Sequence, residues 1–276
     1  MSAKPIVKWA GGKRQLINKL IEYMPKDYKH YFEPFVGGGA LLFELLPKKA
    51  VINDINEDLL CIYRSIADEE KYHFMLNELD KHELNHSEEY YYKVREMDRD
   101  PNYNNLPIWQ RAARTIYLNK SCFNGLYRVN SKGYFNVPFG KKEKVYTYDK
   151  DNMEIIHNYF KTNDVTILNG DFVKAVENAK AGDFVYFDPP YDPMDNKESF
   201  TSYTKDNFTR DDQKRLANLF RELSNKGVHV MLSNHNTILI KELYKDFNIH
   251  VVHAKRMINS DSNGRGNVEE VIVTNY

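Results

Sequence analysis

The chain has almost no cysteine, no long apolar run and no excess charge of either sign. Its two cysteines, Cys61 and Cys122, are far apart in 276 residues. That spacing suits neither a disulfide framework nor a zinc site, so free thiols in a reducing compartment are expected, and no metal. No apolar stretch approaches the roughly 18 residues of a membrane span. The opening, MSAKPIVKWAGGKRQL, lacks a signal peptide's apolar core. The expectation is a cytoplasmic protein without membrane association. The 39 basic and 39 acidic side chains cancel, which argues against a uniformly basic nucleic-acid coat but leaves room for a local patch. Internal repeats, low-complexity tracts and heptads are also missing.

What is present is enough apolar residue (42%) for a sizeable core. The first fifty-odd residues read helix, strand, helix, strand: KRQLINKLIEYM, HYFEPF, GALLFELL and KAVIND. This βαβ pattern implies a parallel sheet covered by helices. From 57 to about 122 the chain is mostly helical in character, with a break at RDPNYNNLP, and NSKG then marks a β-hairpin tip near 130–133. Alternation resumes at about 165 with VTILNGD, FVKAVENA, DFVYFD, a helix ending at Gly227, VHVMLSN, TILIKELYKDF and two closing strands, NIHVVHA and VEEVIVTNY. The expected architecture is one α/β domain, residues 1–56 and 161–276, split by an inserted lobe at 57–160. Eight Lys or Arg lie between Arg111 and Lys144 against the single acid Glu143, a segment a polyanion could bind. NSDSNGRGN, 259–267, reads as a mobile loop whose Arg265 could meet a phosphate.

Four constellations carry chemistry. DPPY, 188–191, ends a buried strand with a carboxylate, two stiff residues lacking N–H donors, and an aromatic ring. That is a rigid acceptor set beside a stacking platform, suited to a planar ring with an amino group; a Pro-Pro turn with Asp as turn former is the plainer alternative. EPFVGGGALLFEL places Gly37 and Gly39 between a strand and a helix, where backbone can approach a ligand closely. Its run of glycines does not supply the G-x-G-x-x-G of a NAD site. Asp54 ends the next strand, where a carboxylate can accept from ribose hydroxyls; an ordinary glycine turn and strand-end Asp are the alternative. VKWAGGKRQL puts Lys13 at a helix start, where it could pair with a ligand carboxylate or be a solvated lysine of the first turn; that is a poor place for a cation without a nearby anion. In NGDF, Asp171 could hydrogen-bond an adenine amino group or simply cap a helix, and Phe172 could pack on the ring.

The order KWAGGK, FVGGG, NGLYRVNSKGYFNVPFG, DPPY resembles the Dam-type DNA adenine-N6 methyltransferases over almost the whole chain. The resemblance implies a Rossmann-like methyltransferase sheet with an inserted, mostly helical DNA-recognition lobe carrying a β-hairpin. It implies S-adenosylmethionine as cofactor, contacted by Trp9, Lys13, Phe35, Gly37, Gly39, Asp54, Asp171, Phe172 and Asp188. Catalysis falls to Asp188, Pro189, Pro190 and Tyr191. Double-stranded DNA with a GATC-type site is the implied partner, met by Lys8, Phe123, Asn124, Leu126, Arg128, Asn130 and Pro138, with no obligate protein partner. Arg128 matches the arginine that reads guanine. The expected reaction is methyl transfer to a flipped-out adenine N6, whose hydrogens are accepted by Asp188 and the Pro189 carbonyl while Tyr191 stacks on the base. DPPY also serves other planar amino groups, so RNA adenine or protein glutamine remains open, as does a silent DNA-binding relative.

Overall fold

The computed structural model describes residues 3–9, 11, 13–194, 208–255 and 267–276; Ala10, Gly12 and Arg265 lie outside them. Seven strands form one sheet: β1 (Tyr31–Glu33), β2 (Lys49–Asp54), β3 (Asp164–Asn169), β4 (Phe184–Phe187), β5 (His229–His235), β6 (Asn248–Lys255) and β7 (Asn267–Thr274). Their order is β3-β2-β1-β4-β5-β7-β6. The first five are parallel, and β7 runs antiparallel between β5 and β6. The chain order reverses between β1 and β4, so a crevice opens there beyond the carboxyl ends of the strands.

The helices are α1 (Ile17–Tyr23), α2 (Ala40–Leu45), α3 (Glu57–Ala67), α4 (Glu69–Leu84), α5 (Glu88–Glu96), α6 (Ile108–Ser121), α7 (Lys150–Thr162), α8 (Phe172–Ala175), α9 (Arg210–Asn225) and α10 (Ile238–Leu243). Strand period two divides the core between two faces. Phe184 and Tyr186 of β4 pack with α1, α2, α3, α4, α6 and α7. Val185 and Phe187 pack against α9 and α10 on the other face. The VTILN and FVYF runs thus became strands as expected, whereas FVKAVENA gives one helical turn. Asp171 caps that turn, and a left-handed Gly182 follows soon after at φ +86°.

The segment between β2 and β3 does not separate cleanly from the sheet. Residues of α3 and α7 share the sheet's core, as do α4 and α6. Tyr91, Val94, Tyr117, Leu118, Cys122, Phe135, Val137 and Val145 make a further cluster of their own. The hairpin in this segment is a loop closed by isolated antiparallel pairs, Val129 with Phe135 and Cys122 with Phe139. Its turn is closed by the Gly133 amide donating to the Asn130 carbonyl at 2.8 Å. Positive φ at Asn124 and Gly125 and the proline at 138 interrupt a regular ladder. Among the described residues, no helix is long and apolar enough to cross a membrane.

Candidate active site

Three carboxylates end adjacent parallel strands: Glu33 on β1, Asp54 on β2 and Asp188 just beyond β4. Phe187 of β4 pairs with Leu232 of β5, so the next residues, Asp188 and Ser233, lie side by side. Ser233 Oγ donates to Asp188 Oδ1 at 3.1 Å. The Lys13 ammonium reaches the same oxygen at 2.8 Å. Among the described residues nothing donates to Oδ2 or to the Pro189 carbonyl, whereas the Pro190 carbonyl accepts from Gln213 Nε2 at 2.9 Å. Burial pushes the Asp188 carboxyl above its usual range, opposed by Lys13 first and then by Ser233. The buried Tyr186 hydroxyl shares a 2.8 Å hydrogen bond with Ser233 Oγ.

Tyr191 is held on several sides. Its hydroxyl donates to Glu270 Oε2 of β7 at 3.0 Å. The His235 ring meets it edge-on at 4.8 Å, and Lys13 Nζ lies 4.3 Å from the ring centroid. The following residue, Asp192, is fixed by Asn234 Oδ1 accepting from its amide at 2.9 Å. The ring next to the acceptor pair is therefore fixed in place rather than free to rotate.

Beside this lies the glycine loop. Gly37 and Gly39 have φ of +48° and +70°, and a Cβ on Gly37 would come within 2.9 Å of the Trp9 ring. Glycine is required there. The Gly37 amide donates to Asp54 Oδ2 at 3.0 Å and the Asn56 amide to Oδ1 at 2.9 Å, so the carboxylate is aimed by backbone. Burial raises Asp54 to about 6 and Glu33 to about 8. Glu33 also accepts from the Tyr31 hydroxyl at 2.8 Å.

The structure gathers Trp9, Lys13, Phe35, Gly37, Gly39, Asp54 and Asp188 around the crevice. Lys13 pairs with Asp188, which supplies the anion its helix-start position demands. Asp171 caps α8 and pairs with Arg215 at 2.7 Å. The buried Phe172 ring stacks on Phe35 at 5.3 Å with the Arg215 guanidinium 4.9 Å from its centroid.

The hairpin side is equally ordered. Phe123, Asn124, Arg128 and Pro138 are exposed, as is Lys8. Leu126 is half-buried. Asn130 Oδ1 accepts from the amides of Lys132 and Tyr134 at 3.0 and 3.1 Å, shaping the turn. Arg128 Nε donates to Asn136 Oδ1 at 2.8 Å. Of the lysines beyond the hairpin, Lys142 donates to the Lys120 carbonyl at the end of α6.

The D12 class N6 adenine-specific DNA methyltransferase family profile matches residues 9–258. The chain belongs to this family. It is an adenine-N6 DNA methyltransferase, and the Rossmann-like sheet with its helical, hairpin-bearing insertion is the expected fold. It is 48% identical over its whole length to the type II methyltransferase M1.LlaDCHI of Lactococcus lactis subsp. cremoris, covering 96% of that protein. Identity to the type II methyltransferase M.MjaIII of Methanocaldococcus jannaschii is 44%, with both chains fully covered. With the DNA adenine methylase of Escherichia coli K12 it shares 32% over 98% of this chain and 94% of the other.

Sequence reasoning missed the supporting residues. Ser233, Asn234 and Glu270 come from strands whose apolar alternation masked them. Buried Asn119 on α6 bonds both the amide and the carbonyl of Lys8, each at 2.8 Å, and the Gly125 carbonyl at 3.1 Å. The signal that could have found Ser233 and Asn234 is the LSN ending of β5, polar residues closing an apolar strand as Asp188 closes β4.

Proposed function

We propose that the enzyme methylates adenine N6 within GATC in duplex DNA, taking the methyl from S-adenosylmethionine and drawing the target base out of the helix. Asp188 carries the reading: its Oδ1 takes the two side-chain donors found among the described residues, leaving Oδ2 and the Pro189 carbonyl as acceptors beside the clamped Tyr191 ring. Those two acceptors match the two hydrogens of an exocyclic amine. Accepting both draws N6 toward a tetrahedral geometry and localises its lone pair, and Tyr191 supplies a face for the purine. A base inside a duplex cannot reach this crevice, and extrusion costs a few kcal/mol.

The residues fit the cofactor. Gly37 and Gly39 leave room for close approach, and Asp54 is aimed by two amides while still able to accept hydroxyl donors. Trp9 and Phe35 offer apolar surface, and Asp171 and Phe172 flank the next strand end. When bound, S-adenosylmethionine supplies a methyl group on a sulfonium, open to in-line attack. The protein's own share is orientation and fixed polar groups.

Residues 57–160 serve as the target-recognition lobe, and 1–56 with 161–276 as the catalytic domain. Arg128, presented by Asn136, reads guanine through O6 and N7, with Lys8 as a second base contact. Phe123, Asn124, Leu126 and Pro138 border the duplex, while Asn130 keeps the turn in shape. Lys132, Lys141 and Lys144 are suited to phosphates. The type II names of the two relatives at 44–48% identity favour a restriction–modification setting, in the cytoplasm.

The test is transfer of labelled methyl from S-adenosylmethionine to two duplexes, one with GATC and one with its guanine replaced. Label on adenine N6 in the first alone is expected. Equal labelling would overturn the GATC assignment, and labelling of RNA but not DNA would overturn the substrate class.

A further inference from the structure

A residue assigned to DNA adjoins a half-buried aromatic residue in two places. Lys8 adjoins Trp9, and Arg128 adjoins Tyr127. In both dipeptides one side chain is exposed and the other half-buried. The two half-buried rings meet: the Trp9 and Tyr127 centroids are 4.8 Å apart at 32°. Trp9 in turn lies against the Gly37 backbone.

Tyr127 has two further anchors. Burial raises its hydroxyl above the usual tyrosine range, and the neighbouring Asn56 side chain opposes this. Asn56 also caps α3 through Oδ1, accepting from the Leu59 amide at 2.9 Å. The Asn56 amide is one of the two that aim Asp54. The ring's far side meets Phe135 at 5.5 Å, and the Phe135 amide is fixed to Asp98 Oδ2 at 2.7 Å. One tyrosine on the recognition loop therefore touches both flanks of the glycine loop, Trp9 on one side and the Asp54–Asn56 turn on the other.

We propose that Tyr127 is the positioning residue that couples the methyl-donor pocket to the DNA-reading hairpin. The proposal rests on the assignment of Trp9 and Asp54 to the cofactor and Arg128 to DNA. A ligand that fixes Trp9 and the Asp54–Asn56 turn also fixes the slot Tyr127 occupies. The backbone that presents Arg128 is then ordered before the duplex arrives. By linkage, duplex binding improves cofactor affinity by the same factor. Asn119, which ties Lys8 to Gly125, holds the loop's base and leaves the Tyr127 contact as the route from pocket to tip.

The experiment measures duplex affinity with and without saturating S-adenosylhomocysteine, for the wild type, Tyr127→Phe and Tyr127→Leu. The wild type should bind the GATC duplex roughly fivefold or more tightly with the nucleoside present. That factor should fall in Tyr127→Phe, which keeps the ring but loses the hydroxyl beside Asn56, and approach one in Tyr127→Leu. Preference for GATC over the guanine-replaced duplex should persist, because Arg128 and Asn136 are untouched. An unchanged factor in Tyr127→Phe would overturn the proposal, and that variant decides if Tyr127→Leu fails to fold. A wild type that binds nucleoside and duplex independently would overturn it alone. Failure of the wild type to bind the nucleoside at all would overturn the pocket assignment as well.

Discussion

Removing the Ser233 hydroxyl should shift the pH at which the enzyme loses activity, not merely lower its rate. Asp188 must be ionised to accept hydrogens from an amine. Burial favours its neutral form, and two donors on Oδ1 oppose that, Lys13 at 2.8 Å and Ser233 at 3.1 Å. A hydrogen bond to a charged group contributes about 1.5–3 kcal/mol, equivalent to about one to two pH units at 1.36 kcal/mol per unit. Ser233→Ala takes away a group that favours the charged form, so the Asp188 pKa rises and the loss of activity on acidification sets in at higher pH. Alanine also strands the buried Tyr186 hydroxyl, costing about 1–3 kcal/mol of stability. The better variant is therefore the double Tyr186→Phe/Ser233→Ala, which removes both polar atoms together. The assay is the rate of methyl transfer to the target duplex under saturating conditions, from about pH 5 to about pH 9. The acid limb should move up by about one unit while the rate on the alkaline plateau changes far less. A lowered plateau with an unmoved limb would refute the reasoning, since Ser233 would then act through shape alone.

Other perturbations follow from the same geometry. Burial raises Glu33 to about 8 against an ordinary 4.5, so between those values the folded protein holds a proton that the unfolded chain releases. Stability then falls as pH rises through that window. Glu33→Gln should flatten the dependence and be the more stable protein near neutral pH, and urea melts at about pH 5 and about pH 7.5 that ran parallel to wild type would contradict this. Arg128→Ala should erase about 1–3 kcal/mol of discrimination between the GATC and guanine-replaced duplexes, read as the ratio of kcat/KM values; a retained ratio would move guanine reading elsewhere. A Cβ on Gly140 would lie 2.6 Å from the Ser121 and Cys122 carbonyls. Gly140→Ala should therefore cost about 1–3 kcal/mol and lower the melting temperature, and an unchanged Tm would show that the end of α6 yields easily.

The layered α/β plan was legible because its signals are local. FVYF alternates between two cores, KAVIND keeps strand period beside β1 and DVTILN beside β2, and Gly227 sits at φ +77° after α9 as a left-handed cap. Sheet order was not legible: nothing within NIHVVHA or VEEVIVTNY says that the second inserts between the first and β5. That order is set by which faces remain unburied once the parallel strands have formed. The insertion was legible as helical, but not its partition. Leu59 and Ile62 of α3 and Met153 and Ile156 of α7 carry apolar stripes, and a stripe does not announce whether its partner is a sheet or another helix.

The site divides in the same way. Residues proposed to touch reactants sit at strand ends in short motifs, and Asp188, Pro189, Tyr191, Asp54 and the glycines could all be named from those motifs. Residues that decide how Asp188 behaves come from three other places in the chain. Lys13 lies some 175 residues before it and Ser233 45 residues after it, while Glu270 holds the neighbouring ring. Had Lys13 and Ser233 approached different oxygens, neither would be left for an amine hydrogen without a competing donor. Because both converge on Oδ1, the carboxylate keeps its counter-ion in a buried setting, and no described side chain donates to Oδ2. A buried acid without that pairing would take up a proton and become a donor toward the amine it must accept from. In the proposed reaction, this division of labour between two oxygens of one side chain is what makes a strand-ending aspartate an acceptor. It arises from the β4–β5 register, which places Ser233, together with Lys13 brought from before α1, and no single stretch of sequence contains both.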